Sequence, residues 1–224
     1  MKLSSYLKIS VVMLVITLCF IFADTVIKFI LSQLNVQIIT KTPSDGFILY
    51  FQIALLMATI VLFPLITHQL INYVRPALYD HEKVTLNKFM RISYLISFLF
   101  ILGVAFGYYM LFYIIIPFLS SFNTGIGITN IWNANETIIF VLSIMFYTGL
   151  TFQTPVIIYY MLKWELIDIK NIPLIRKSII IVALIVGAVI TPPDILSQVI
   201  FGLPIWILFE ISVFYWRLKN GWKK

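Results

Sequence analysis

Residues 92–116 read ISYLISFLFILGVAFGYYMLFYIII, an apolar run without a single charge. A bilayer core roughly 30 Å thick needs about 20 such residues in helical form, so this stretch alone is long enough to cross one. Three more runs, 9–27, 47–66 and 137–162, come near or past that length. Hydrocarbon offers no water to backbone N–H and C=O groups, which makes helices the default fold. Composition agrees: 61% of the 224 residues are hydrophobic and 11% charged, with a mean hydropathy of +1.01. That is too little polar surface to cover a soluble globule.

Two further apolar runs, 179–190 and 195–216, are less regular. The first is short, and Gly202 and Pro204 interrupt the second. Twelve residues at about 1.5 Å rise reach only some 18 Å, so the first run recruits flanking residues, thins the bilayer or fails to span. We read the two as a tight pair turning at Pro192, Pro193 and Asp194, with a single re-entrant segment as the alternative. The expectation is an all-α membrane protein of six transmembrane helices, the last two short, forming one membrane domain over residues 1–224. Lys2 and Lys8 ahead of the first run resemble a signal peptide, but no small-residue cleavage site follows Phe22, so an uncleaved first helix is expected. The single cysteine, Cys19, lies within that helix and excludes a disulfide framework.

The net charge of +7 raises nucleic acid as a partner, and its distribution argues against it. Six helices laid end to end put Lys2, Lys8, Arg75, Lys83, Lys88, Arg91, Lys163, Lys170, Arg176, Lys177, Arg217, Lys219, Lys223 and Lys224 on one side. Only Lys28 and Lys41 fall opposite. The positive-inside rule then places both termini in the cytoplasm, matrix or stroma. The basic character reports insertion.

Catalytic constellations are scarce. His68 and His81 flank a loop, and His81-Glu82 lacks the second histidine of a zinc-protease helix. No nucleophile elbow, phosphate-binding loop or Cys/His cluster occurs, so no catalytic residue, metal or cofactor is expected. The polar residues beside apolar helices say more, because each is costly in hydrocarbon unless it faces protein or water. Gln153 lies deep in the fourth helix, two residues before Pro155, where a proline frees a backbone carbonyl one turn earlier and a side-chain amide offers hydrogen bonds. Packing across a helix interface explains it equally well. Glu210 in the last helix reads as a carboxylate reaching the interface or pairing with Arg217. Asp194 after Pro192-Pro193, and Asp45 before the second helix, read as helix caps. In the loop 72–91, Tyr73, Pro76, Tyr79, Asp80 and Glu82 gather aromatics, a rigid proline and carboxylates just outside the membrane. That combination suits a guanidinium-bearing ligand through charge-assisted bonds and cation-π stacking; a solvated loop is the plainer reading.

These segments resemble the TatC family. Its first inner loop reads approximately Pro-Ala-Leu-Tyr-Xaa-His-Glu, found here as Pro76-Ala77-Leu78-Tyr79-Asp80-His81-Glu82 after His68-Gln69. Its final hairpin is similar to Thr191-Pro192-Pro193-Asp194, Ser197-Gln198, Pro204 and Phe209-Glu210, and Phe152-Gln153-Thr154-Pro155 matches its fourth-helix signature. The resemblance implies a concave arrangement of six helices and a signal-peptide receptor that is not an enzyme. It binds the twin-arginine signal peptides of folded cargo, works with TatA-like and TatB-like single-span proteins in the bilayer as a homo- or hetero-oligomer, and draws on the proton-motive force. By position, Glu82 is the acidic contact for the arginine pair, Tyr73 lines the same site, and Gln153 is the intramembrane polar position facing a docked helix. The family's N-terminal His-Leu-Xaa-Glu-Leu-Arg segment is missing, and Ser4-Ser5-Tyr6-Leu7-Lys8 supplies no carboxylate in its place. Gln at 153 also removes any titratable group there.

A small-solute or ion transporter would show internal repeats and several intramembrane charges, and neither is found. A membrane subunit of a respiratory complex is the third class, distinguished by not binding free signal peptides. Forty Ile, 19 Phe and 12 Tyr against eight Ala suit AT-rich coding. The mitochondrial inner membrane is therefore the favoured compartment, with a plastid thylakoid or bacterial inner membrane as alternatives.

Overall fold

The computed structural model describes residues 2–34, 36–74, 86–127, 129–190 and 195–220. Eight α-helices account for most of them: α1 (Lys2–Gln33), α2 (Asp45–Val74), α3 (Leu86–Met110), α4 (Ile116–Gly125), α5 (Ala134–Thr151), α6 (Thr154–Lys163), α7 (Ile172–Ile190) and α8 (Ile195–Asn220). Two three-residue strands, β1 (Gln37–Ile39) and β2 (Ile131–Asn133), pair in parallel, Gln37 opposite Ile131. Large apolar side chains such as Ile21, Phe47, Phe98 and Ile185 stand more than half exposed. Helices apolar all round are expected where lipid is the solvent. This is a multi-pass membrane protein.

Among the described residues, five segments are long and apolar enough to cross a membrane: Ile9–Gln33, Asp45–Gln69, Arg91–Gly125, Ala134–Lys163 and Gln198–Asn220. Thus α3 with α4 forms one crossing and α5 with α6 another. The short run before the final turn recruits flanking residues, since α7 begins at Ile172 and carries 19 residues, about 28 Å at helical rise. The run after the turn is less interrupted than its glycine and proline suggest, because α8 continues through Pro204. A transmembrane helix tolerates such a proline when neighbours satisfy the freed carbonyl.

The chain divides into two compact units, Met1–Ser97 with Tyr108–Phe146, and Phe98–Gly107 with Tyr147–Lys224. In the first, α1 packs on α2 through buried Cys19, Ala58 and Leu62, and Tyr50 Oη donates to the Phe20 carbonyl at 2.6 Å. Lys41 and Glu136 form an ion pair beside the strands, Nζ to Oε1 at 2.5 Å. Asp45 differs from a simple cap. It is the first residue of α2, and its carboxylate turns back to accept from the Lys41 and Thr42 amides at 2.7 and 2.9 Å and from the Thr42 hydroxyl at 2.6 Å, bracing the preceding turn. Between α3 and α4 the helix widens into a π-turn over Leu111–Ile115, where the Ile116 N–H reaches the Leu111 carbonyl. Pro117 follows immediately, and with no N–H of its own it cannot continue the regular ladder.

In the second unit, Ile158 and Leu162 of α6, Ile172 of α7, and Phe209 and Val213 of α8 form one buried cluster. The α7–α8 hairpin is close-packed on small residues: a Cβ on Gly187 would stand 2.7 Å from the Gln198 carbonyl oxygen, and one on Gly202 3.5 Å from that of Ala183. At the end of α6, Leu166 N–H bonds the Met161 carbonyl and Glu165 N–H that of Leu162, with Glu165 at φ 56°. This is a Schellman ending in which glutamate takes the left-handed position usually left to glycine.

Candidate functional site

The residues singled out in the sequence fall in three places. Pro76, Tyr79 and Glu82 lie outside the described residues, as do Pro192, Pro193 and Asp194, expected to form the turn between the last two helices. Tyr73 falls in the last turn of α2, its side chain outside those described. Gln153 and Glu210 are described fully. The stems of the segment that carries Glu82 are tied together at their membrane ends, where His68 Nδ1 of α2 lies 3.1 Å from Ser93 Oγ of α3. Ser93 is buried, so this bond is sheltered from competing water.

Around Gln153 the backbone ladder breaks and side chains repair it. Pro155 has no N–H for the Thr151 carbonyl one turn earlier, and the Thr154 hydroxyl takes that acceptor at 2.7 Å. The Gln153 N–H tightens onto the Leu150 carbonyl at 3.0 Å instead of Gly149. The carbonyl thus released at Gly149 accepts from Gln153's own Nε2 at 3.2 Å. The helix restarts as α6 when the Val156 and Ile157 amides both reach the Gln153 carbonyl, at 3.0 and 3.1 Å.

One acceptor remains. Gln153 is 8% exposed, and its Oε1 is buried without a hydrogen-bond partner. An unmet amide oxygen costs about 1–3 kcal/mol, so the position holds an unspent capacity to accept a donor. The frame around it is rigid, because a Cβ on Gly103 would meet the Thr148 carbonyl oxygen at 2.7 Å and Gly149 Cα at 2.8 Å, and one on Gly149 would meet Phe100 Cε2 at 2.6 Å. Glycines let α3 and α5 approach backbone to backbone, as small residues do between membrane helices. Phe106 and Phe152 pack at 5.3 Å between ring centroids beside that crossing.

Glu210 takes a partner the sequence reading did not name. Its carboxylate meets Arg176 of α7: Nη2 donates to Oε2 at 2.7 Å, and Nε lies 2.6 Å from Oε1 without the alignment of a hydrogen bond. The signal was available. The two residues are 34 apart, hence equidistant from Pro193, and an antiparallel hairpin brings equidistant positions together. Gln198 also bridges the hairpin, its Nε2 donating to the Leu184 carbonyl at 3.0 Å. Among the described residues no three His, Cys, Asp or Glu side chains group as metal ligands. The site can hydrogen-bond and hold charge in place; as an amide, Gln153 has no proton to exchange near neutral pH.

A family model described as Sec-independent protein translocase protein (TatC) matches residues 2–204. The Sec-independent protein translocase protein TatC of Helicobacter pylori (strain ATCC 700392 / 26695) is 30% identical over 202 residues, 90% of this chain and 78% of that protein. That of Aquifex aeolicus (strain VF5) is 31% identical over 195 residues, 85% and 78% respectively. That of Azotobacter chroococcum mcd 1 is 29% identical over 213 residues, 92% and 82%. A crystal structure of the twin arginine translocase receptor TatC is similar at a TM-score of 0.75 and 28% identity, covering 97% of both chains.

Proposed function

The chain belongs to the TatC family, and from that premise we propose that it is the subunit of the Sec-independent translocase that receives the twin-arginine signal peptides of folded cargo. The segment joining α2 to α3 captures the arginine pair, with Glu82 as its carboxylate and Tyr73, Pro76 and Tyr79 as its aromatic and rigid rim. Charge-assisted, bidentate pairing distinguishes guanidinium from ammonium. The apolar part of the signal then lies along the helix that carries Gln153.

The observation that carries this reading is the unspent Gln153 acceptor. A buried amide oxygen without a donor is an expensive feature to keep at membrane depth, and a docked helix offering a hydroxyl or amide would satisfy it. The same position serves a TatA-like or TatB-like single-span partner. The Arg176–Glu210 pair and the turn at Pro192, Pro193 and Asp194 support the scaffold. The protein acts by binding and is not an enzyme, and residues 1–224 work as one membrane domain. Both termini face the side rich in basic residues, and composition favours a mitochondrial inner membrane over a thylakoid or bacterial one.

The test is binding of a fluorescent twin-arginine peptide to the purified protein in lipid nanodiscs. Glu82→Ala is expected to weaken binding by more than tenfold while the protein still accumulates in the membrane, and an Arg-Arg to Lys-Lys change in the peptide should do the same. Equal affinity for both peptides would remove the receptor reading.

A further inference from the structure

The ends of α6 and α8 carry a cluster of rings and ammonium groups that signal-peptide capture does not use. Tyr159 of α6 packs against Tyr215 and Trp216 of α8, ring centroids 5.8 and 5.6 Å apart. Tyr160 meets Trp164 at 5.2 Å. Into this cluster Lys219 reaches from the last turn of α8: its Nζ donates to Tyr159 Oη at 2.7 Å and stands 5.2 Å from that ring's centroid. Lys163, closing α6, stands 5.4 Å over the Tyr160 ring.

The hydrogen-bond accounting leaves donors over. An ammonium has three N–H groups, and a phenol that accepts from it still holds its own O–H. Neither Lys163 nor Lys219 meets a carboxylate among the described residues. Tyr159 and Lys163, four residues apart, share a face of α6, and Lys219 reaches Tyr159, so N–H and O–H groups that meet no carboxylate among the described residues lie at this end of α6 and α8, a donor set that suits the oxygens of a phosphate. Location selects the source. Lys163 ends one apolar crossing and Lys219 stands one residue from the end of another, the level at which helices leave hydrocarbon and aromatic residues meet headgroups. Trp164 and Tyr215 are 65% and 55% exposed there, presenting amphipathic faces that a free anion would not cover and a lipid would.

We propose that Lys163, Lys219 and Tyr159 form a headgroup site for one anionic phospholipid, its phosphate held by the two ammonium groups and the phenol and its acyl chains lying on the apolar faces of α6 and α8. The site is independent of twin-arginine recognition.

Native mass spectrometry of the purified protein, titrated with phosphatidylglycerol or with phosphatidylcholine of the same chains, tests it. One phosphatidylglycerol should be retained per chain in preference to phosphatidylcholine. Two lysines near a membrane surface contribute together roughly a thirtyfold change in affinity, so Lys163→Gln with Lys219→Gln should lower retention by about that factor. Tyr159→Phe should lower it by roughly threefold, and Lys219→Arg should keep it. Lys28→Gln, a cation at the other end of the molecule's sequence, should leave it unchanged. Equal retention of the two lipids, undiminished retention by the double variant, equal loss in Lys28→Gln, or displacement by millimolar inorganic phosphate would each overturn the assignment.

Discussion

Gln153 and Glu210 are both polar side chains set in apolar helices of the same compact unit, and they solve the problem of hydrocarbon in opposite ways. Glu210 is ionised chemistry with its partner built in, bonded by Arg176 at 2.7 Å across a tight hairpin. Gln153 is neutral, spends its amide N–H on its own helix at 3.2 Å and leaves its oxygen buried without a donor. A charge in lipid must be matched at once, because leaving it alone is costly. A neutral amide can be left half satisfied at a cost of a few kcal/mol at most. The difference teaches which polar group a membrane helix can leave incomplete: the neutral one, whose unmet oxygen is the feature proposed above to receive a docked helix.

The largest test of that contrast separates Arg176 from Glu210. Either Arg176→Leu or Glu210→Leu alone should destabilise the protein by about 3 kcal/mol, because each strands a charge; removing both together should cost less than either. Thermal melting in detergent micelles reads this. Additive losses would mean the two groups are not a pair in energetic terms, and Glu210 would join Gln153 as an open site. Exchanging the charges, Arg176→Glu with Glu210→Arg, should recover a large part of the loss.

The next effect lies in the frame that holds Gln153. Gly103→Ala places a methyl against backbone atoms at 2.7 and 2.8 Å, which cannot swing aside, and should cost about 2 kcal/mol. Gly149→Ala meets the edge of the Phe100 ring instead and should cost less. A reversed order would show that the ring is the rigid partner. Thr154→Val comes below these: it removes the hydroxyl that covers the Thr151 carbonyl and should cost about 1 kcal/mol, seen as a lowered melting point with the peptide-binding surface unchanged.

The smallest expected stability change is at Gln153, the position proposed to face a docked helix. Gln153→Leu deletes an unmet acceptor and a donor to Gly149 together, so the two terms offset and stability should move by no more than about 1 kcal/mol. Its effect should appear instead in the depth to which a signal helix inserts, measured by site-specific photo-crosslinking along the peptide. If the variant melts several degrees lower but inserts the peptide as before, Gln153 is a packing residue, and the contrast with Glu210 collapses.

Much of this molecule can be read along the chain. Runs such as 92–116 announce crossings because hydrophobic length is a local property, and Pro155 announces a break because a missing N–H has the same consequence in any helix. Of the outcomes open to the short run 179–190, the helix takes the recruitment of flanking residues, since α7 draws in Ile172 to Ser178, Arg176 among them. That arginine looked like a loop cation because charge usually marks the end of a crossing, whereas here Glu210 neutralises it within the hairpin.

By itself, the amino-acid order determined the membrane class, the crossings, the helix-breaking prolines and, through motifs in sequence order, the family. Only the tertiary structure decided that Arg176 answers Glu210, that Gly103 faces Gly149, and that Gln153 keeps an oxygen in reserve. The physical reason is that helices apolar on every side carry no stripe marking the face that meets protein. With lipid as apolar as the neighbouring helix, partners are chosen by close packing and polar matching between distant segments, and neither is written in local composition.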